Sequence, residues 1–258
     1  MNKILKNKIA DKLVNAFLKN KIISPLPQKI TKKLTNADEF RKLCESKINE
    51  PIIGFKAGGT GIPVMKKLKE KEPFYASIFK RNFLKSGQRV KINKSTFGIE
   101  LEVCYLIKKS FFNSKGLITS KNVTKFISHM APCIEVVGYR QKRKGITSFG
   151  DLSSDFGGNV KFLIGQKKKY KKINIGNLKA NISNKKVKQS VNGNTNAVYI
   201  NPLNSLRFVL NKVKKDKVDL GKDFYVFTGS TVGVVPILSK GLYTGKIDKL
   251  GSVKAIIS

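Results

Sequence analysis

The chain is poor in the residues from which soft-metal sites and disulfide-stapled folds are built. Its 258 residues include one histidine, His129, three cysteines, Cys44, Cys104 and Cys133, and no tryptophan. A lone histidine and cysteines without ligand-like spacing exclude an ordinary zinc site, and His129 reads as structural. The odd, scattered cysteines exclude a disulfide framework, so a reducing cytoplasm is the expected compartment. No stretch approaches the roughly 18 uninterrupted apolar residues of a membrane span, and Lys3, Lys6 and Lys8 break up the N-terminus too often for a signal-peptide core. Acidic residues are also scarce: 16 against 52 basic ones, a formal net charge of +36.

Such a charge suits a nucleic-acid binder, because dispersed cations release counterions from a polyanion. The kind of cation argues against it. Six residues are arginine and 46 are lysine, whereas arginine is favoured for bidentate contacts to bases and phosphates. Lysines run along the whole chain rather than forming one arm, with local runs such as Lys167-Lys168-Lys169-Tyr170-Lys171-Lys172. Lysine, asparagine, isoleucine and phenylalanine, all abundant, share A/T-rich codons, so composition accounts for much of the charge. It still steers small anionic substrates toward the protein.

With 40% hydrophobic residues the chain can bury a sizeable core, and one main domain is expected. Leu5, Ile9, Leu13 and Phe17 recur at helical spacing within residues 2–20. Ile23 to Gln28 holds two prolines and reads as a linker. Thr35 with Asp38 predicts a capping box before a second helix bearing Phe40, Leu43 and Ile48. From Pro51 on, short apolar runs separated by Gly, Pro and Asn predict strands near 52–56, 97–107, 132–138, 160–165, 224–228 and 252–257. Ser205 to Lys215 predicts a helix after the Asn201-Pro202 turn, and residues 167–196 a strand pair with turns at Gly176-Asn177 and Asn192-Gly193. The division is therefore a helical segment, 1–50, and a β domain, 51–258.

In so basic a chain, carboxylates inside apolar runs carry information. Glu100 and Glu102 interrupt the run 97–107, and strand alternation sets them on one face about 7 Å apart. Phe97, Ile99, Leu101, Val103, Tyr105 and Ile107 would line the other. Glu135 is the only acid in the run Ala131-Pro132-Cys133-Ile134-Glu135-Val136-Val137-Gly138. Clustered carboxylates in a half-buried place repel and need a cation. An all-oxygen set suits Mg²⁺, Mn²⁺ or Ca²⁺ rather than zinc. The alternative has Glu100 and Glu102 facing solvent and Glu135 paired with a lysine. Lys56 lies in an apolar segment before Gly58-Gly59, where burial would lower its pKa toward a value useful for proton transfer. Thr60 and the Thr228-Gly229-Ser230 turn can offer hydroxyls and N–H groups to a carboxylate. Asp155 can orient a loop or cap a turn, and Cys104 and Cys133 read as small core residues.

Glu100-Leu101-Glu102 followed by Ile134-Glu135-Val136-Val137 resembles the metal-binding pattern of the fumarylacetoacetate hydrolase superfamily, and other segments resemble its 2-keto-4-pentenoate hydratase branch. Ile53 to Thr60 is similar to that branch's G-x-K-x-G-x-T segment, and Asp155 to Gly165 to its D-N-x-S-S-G-x-F-V-L-G segment. Asn201-Pro202-Leu203-Asn204-Ser205-Leu206, Phe227-Thr228-Gly229-Ser230 and Leu250-Gly251-Ser252-Val253 fall where it has N-P-L-x-A-L, L-T-G-S and L-G-S-V. The pattern departs at Phe74 and Gly138, where aspartates would fall, and at Gly158 and Asn159, where the serine pair would fall.

The resemblance implies an α+β fold, a mixed β-roll with N-terminal helices packed on it, in a homo-oligomeric enzyme. It implies Mg²⁺ or Mn²⁺ held by Glu100, Glu102 and Glu135, Lys56 as catalytic residue, and Thr60, Asp155, Thr228 and Ser230 as substrate-binding. The implied reaction is hydration of a 2-hydroxydienoate or 2-oxo acid, as in aromatic catabolism, with C–C hydrolysis or decarboxylation of a related 2-oxo acid as the alternative. A basic nucleic-acid-binding protein is the second alternative.

Overall fold

The computed structural model describes residues 2–142 and 145–258. Among them the helices are α1 (Lys3–Lys19), α2 (Gln28–Thr31), α3 (Leu34–Glu45), α4 (Ile62–Lys67), α5 (Phe149–Ser154) and α6 (Pro202–Lys215). The strands of the first half are β1 (Ile52–Gly58), β2 (Phe74–Phe79), β3 (Phe83–Lys85), β4 (Arg89–Val90), β5 (Thr96–Ile107), β6 (Ile127–Gly138) and β7 (Asn159–Ile164). Those of the second half are β8 (Lys168–Lys169), β9 (Lys179–Asn184), β10 (Gln189–Asn194), β11 (Phe224–Ser230), β12 (Val235–Pro236), β13 (Gly241–Ile247) and β14 (Gly251–Ile257). No helix among the described residues is long and apolar enough to cross a membrane.

Two sheets share the core. The larger runs β2-β1-β11-β5-β6-β7-β3, with β12 on β5 and β8 on β6, and the smaller runs β10-β9-β13-β14-β4. Ile99, Leu101, Val103, Tyr105 and Ile107 of β5 are completely buried, in one cluster with Ile182, Tyr243, Val253 and Ala255 of the smaller sheet. One face of β5 thus meets the other sheet, as its alternation requires. Phe97 is the exception: the register slips between Thr96 and Gly98, and a slip of one residue sends a side chain to the opposite face. Phe97 is 37% exposed there and stacks on Tyr139.

The N-terminal helices have no closed core of their own. Leu13 and Phe17 of α1 and Phe40 and Cys44 of α3 pack with Phe79 of β2 and with Phe156, while Leu5, at the start of the α1 stripe, is exposed. Arg41 is fully buried at this junction, bonded to Glu45 at 2.7 Å with its guanidinium over the Tyr75 ring.

Two local expectations fail. Lys33, not Thr35, precedes the first helical residue of α3, and Thr35 lies within the helix. Asp38 instead accepts a hydrogen bond from Ser153 of α5, so it serves tertiary packing rather than capping. Asn192-Gly193 is not a turn: both residues lie in β10, opposite Asn181 and Ala180, and the hairpin turns at Lys185–Val187 with Lys188 left-handed. Glycine at 193 answers a close approach, since a β-carbon there would sit 2.0 Å from the Thr231 carbonyl oxygen.

Candidate active site

Register assembles the carboxylates. β5 and β6 pair antiparallel with Glu100 opposite Glu135 and Glu102 opposite Cys133, so all three side chains share one face. One oxygen from each lies within 4.8 Å of the others. Glu102 and Glu135 are completely buried and Glu100 is partly so.

Lys56 comes from β1, separated from β6 by β11 and β5. Three strand spacings would put the two backbones about 14 Å apart in a flat sheet. The sheet must curl for the side chains to meet, and they do: Lys56 Nζ donates to Glu135 Oε1 at 2.5 Å, to Oε2 at 2.7 Å and to the Gly157 carbonyl at 3.2 Å. Glu135 is thus paired with a lysine and also belongs to the cluster, which combines the two readings that the sequence set apart. Phe156, Gly157 and Gly158 all have positive φ, 52°, 70° and 72°. This left-handed bend turns the Gly157 carbonyl toward Lys56, and the unfavourable conformation at Phe156 is held by its contact with Phe17, ring centroids 4.4 Å apart.

Glu102 is positioned from the next strand. The register of β11 against β5 slips between Phe227 and Ser230, and at this bulge the Gly229 N–H donates to Glu102 Oε2 at 3.0 Å. Gly229 has φ +103°, and a β-carbon would sit 2.0 Å from Thr60 Oγ1, so glycine is required twice over. Glu102 Oε1 is buried without a hydrogen-bond partner. A buried carboxylate oxygen left bare is costly, and a hard cation is the partner that its all-oxygen neighbours would share.

The electrostatics agree. Burial, reinforced by Glu135, pushes the Glu100 carboxyl up to about 7, and burial with Glu135 drives Glu102 upward as well. At Lys56 burial works to lower the pKa, but Glu135, Glu100 and Glu102 outweigh it and hold the ammonium above its ordinary value. The sequence-based expectation of a lowered lysine pKa is therefore reversed, because three acids surround it.

A cavity of about 70 Å³ opens beside these groups, with Lys56, Glu100, Phe74, Phe97 and Gly158 among its walls. Phe74 was read from the sequence only as a missing aspartate; its ring packs edge-on against Phe149 and closes one end. At Gly138 a β-carbon would meet the Ser95 carbonyl oxygen at 2.4 Å, so close packing leaves no room for a side chain.

The four expected substrate contacts lie outside this lining. Thr60 packs against Gly229. Thr228 donates to the Val103 carbonyl and Ser230 to that of Gly233. Asp155 is fully buried, receiving the Arg140 side chain at 2.6 Å, the Arg140 N–H at 2.8 Å and Gln141 at 3.3 Å. Arg140 also donates to the Asp155 and Asn159 carbonyls, which fastens the bend 156–158 to the end of β6. Asn159 donates to the Phe156 carbonyl within the same bend. His129 sits beside Ser128, and Cys104 and Cys133 are buried in a small cluster with Phe162 and Phe227, Cys133 opposite Glu102 in the β5–β6 register.

No family model and no curated protein sequence matches the chain. Solved structures do. 4-Oxalocrotonate decarboxylase from Pseudomonas putida G7, complexed with magnesium and adipate, matches with a TM-score of 0.85 at 19% identity over 100% of this chain and 99% of that one. The same enzyme with calcium and acetate matches with a TM-score of 0.83. Fumarylpyruvate hydrolase from Pseudomonas aeruginosa, in complex with Mn²⁺ and pyruvate, matches at 0.60 and 12% identity over 82% of this chain and 91% of that one. These are members of the fumarylacetoacetate hydrolase superfamily, and the chain has their fold: curled mixed sheets with N-terminal helices.

Proposed function

We propose that the protein is a divalent-metal-dependent enzyme acting on a 2-oxo or 2-enol carboxylate, with hydration of a 2-hydroxydienoate such as 2-hydroxypenta-2,4-dienoate as its reaction. The observation that carries this reading is the meeting of Glu100, Glu102, Glu135 and Lys56 at one cavity, with Glu102 Oε1 unpartnered. The three glutamates would hold Mg²⁺ or Mn²⁺, the ions named with the two similar enzymes above. A bound cation supplies Lewis-acid stabilisation of negative charge on the substrate's 2-oxygen.

The chain's own groups do the rest. Gly229 N–H orients Glu102, and the Gly157 carbonyl keeps Lys56 Nζ at the cavity edge. Lys56 Nζ, protonated at the cavity wall, would give its proton to a substrate carbon and recover one from the water whose oxygen adds at the other carbon. Phe74 and Phe149 keep bulk water from the closed end. Asp155 and Arg140 act through the backbone by fixing the bend that carries Gly157.

Decarboxylation of a 2-oxo acid is the second reading, favoured by the end-to-end likeness to a decarboxylase. A screen of 2-oxo and 1,3-dicarbonyl acids with Mn²⁺ or Mg²⁺, scored for water addition, C–C cleavage and CO₂ release, separates the reactions. The expected result is turnover that disappears with a chelator and returns with the metal. Turnover indifferent to chelation would overturn the reading.

A further inference from the structure

The bulge that brings Gly229 to Glu102 is held from outside the two strands that form it. β11 pairs Phe227 with Cys104 and Ser230 with Glu102, so Thr228 and Gly229 together face the single residue Val103 of β5. Side-chain hydroxyls bond the backbone where the ladder is interrupted. Thr228 Oγ1 donates to the Val103 carbonyl at 2.9 Å, and Thr231 donates to the Leu101 carbonyl through Oγ1 at 2.7 Å and through its N–H at 2.8 Å. The carbonyls of the residues before and after Glu102 are thereby fixed.

A third hydroxyl comes from another element. Ser205 of α6, completely buried, donates to the Thr228 carbonyl at 2.7 Å. That carbonyl and the Gly229 N–H belong to one peptide group, which is planar and trans, so its C=O and N–H point in opposite directions. A donor that fixes the carbonyl end therefore fixes the N–H as well. Ser205 holds one end of the 228–229 peptide while the other end delivers its N–H to Glu102 Oε2 at 3.0 Å. Glycine puts little steric limit on its own φ, so the peptide needs a bond at the carbonyl end to keep the N–H on Glu102. Ser205 stands where the N-P-L-x-A-L pattern has alanine, so this hydroxyl is a departure from that pattern.

We infer that Ser205 is a positioning residue for the carboxylate cluster, acting through the 228–229 peptide to aim the Gly229 N–H at Glu102. The inference rests on the metal-binding reading proposed above and adds a residue that serves it from α6. Clustered acids repel one another when no cation is present, which favours a Glu102 side chain turned away from its neighbours. Anchored at Oε2, the carboxylate keeps one orientation and presents Oε1, which has no hydrogen-bond partner. The site is thus arranged before the ion arrives.

Two substitutions test the role. Ser205→Ala removes the hydroxyl at a helical position that suits alanine, and Ser153→Ala removes another buried hydroxyl, one that joins α5 to α3 through Asp38. Parent and variants are compared by calorimetric titration with Mn²⁺, by urea unfolding, and by amide hydrogen exchange of the ¹⁵N-labelled, metal-free proteins. Ser205→Ala should bind Mn²⁺ about tenfold more weakly than the parent, and Ser153→Ala within about twofold of it at a comparable loss of urea midpoint. The Gly229 amide should exchange at least about tenfold faster in Ser205→Ala, while the Thr231 amide, bonded to Leu101, stays within about threefold of the parent.

Mn²⁺ affinity left within about twofold of the parent by Ser205→Ala, or lowered equally by Ser153→Ala, would overturn the positioning role. Equal acceleration of the Gly229 and Thr231 amides would overturn it too, since the whole bulge would then have loosened. Failure of the parent to bind Mn²⁺ would remove the metal reading and this inference with it.

Discussion

Lys56 Nζ lies 2.5 and 2.7 Å from the two carboxylate oxygens of Glu135, although three strand spacings separate their strands. The ammonium neutralises one of three clustered acids and stands where it would compete with a cation for Glu135. Lys56→Met should therefore abolish turnover while leaving Mn²⁺ affinity equal or tighter, since removing a nearby positive charge favours a cation. Mn²⁺ titration of the variant checks this; a loss of affinity of about tenfold or more would give Lys56 a structural role in the metal site.

Stability should depend on pH in a direction set by Glu100 and Glu102. Their carboxyls are raised in the folded protein, Glu100 to about 7 from an ordinary 4.5. The metal-free folded state thus keeps protons that the unfolded chain releases, so its stability falls as pH rises from about 4.5 through about 7. Divalent cations compete with those protons. The rise in Tm on adding Mn²⁺ should be larger near pH 8 than near about pH 5.5, which thermal melts at the two values measure directly.

Gly229→Ala should damage stability and metal binding together. The substitution forces a β-carbon onto Thr60 at φ +103° and moves the N–H that holds Glu102. A loss of about 2 kcal/mol or more in urea unfolding is expected, with Mn²⁺ affinity reduced about tenfold.

Asp155→Asn separates a fastening role from a substrate contact. Arg140 would remain buried without its counter-charge, a change expected to cost about 3–5 kcal/mol. The urea midpoint should fall sharply, while the surviving folded protein keeps its KM. A raised KM with an unchanged midpoint would make Asp155 a substrate ligand.

Nucleic-acid affinity should be weak, steeply dependent on salt and indifferent to sequence, because the charge resides in lysines spread along the chain. Filter binding at two salt concentrations with unrelated duplexes provides the check. Sequence-selective binding at physiological salt would revive the nucleic-acid reading.

Glu100, Glu102 and Glu135 could be picked out of the sequence because each is an acid inside an apolar run, and a buried charge needs a partner wherever it lies; Lys56, one lysine of 46, stood out only through its apolar flanks together with the resemblance of Ile53 to Thr60 to a family segment. Short-range periodicity also showed the central strands β1, β5, β7 and β11 and the helices α1 and α6. The Asn192-Gly193 turn and the Thr35 cap were misread for the reason that local motifs are ambiguous: glycine serves a close approach as well as a turn, and threonine fits within a helix as well as before it.

The pairing of Lys56 with Glu135, the bulges that turn Phe97 outward and bring Gly229 to Glu102, and the closure of the cavity by Phe74 were decided by tertiary structure. These depend on strand order, curl and register, quantities that join residues about 80 to 130 positions apart and leave no periodic trace in the chain. Residue types alone set acids and a lysine inside apolar runs, and left two readings of them: a clustered, cation-binding set, or Glu100 and Glu102 in solvent with Glu135 paired to a lysine. Only the folded sheet decided that a lysine supplies part of that charge, that one oxygen of Glu102 is buried without a hydrogen-bond partner, and that Phe74 and Phe97 stand beside Lys56 and Glu100 at one cavity.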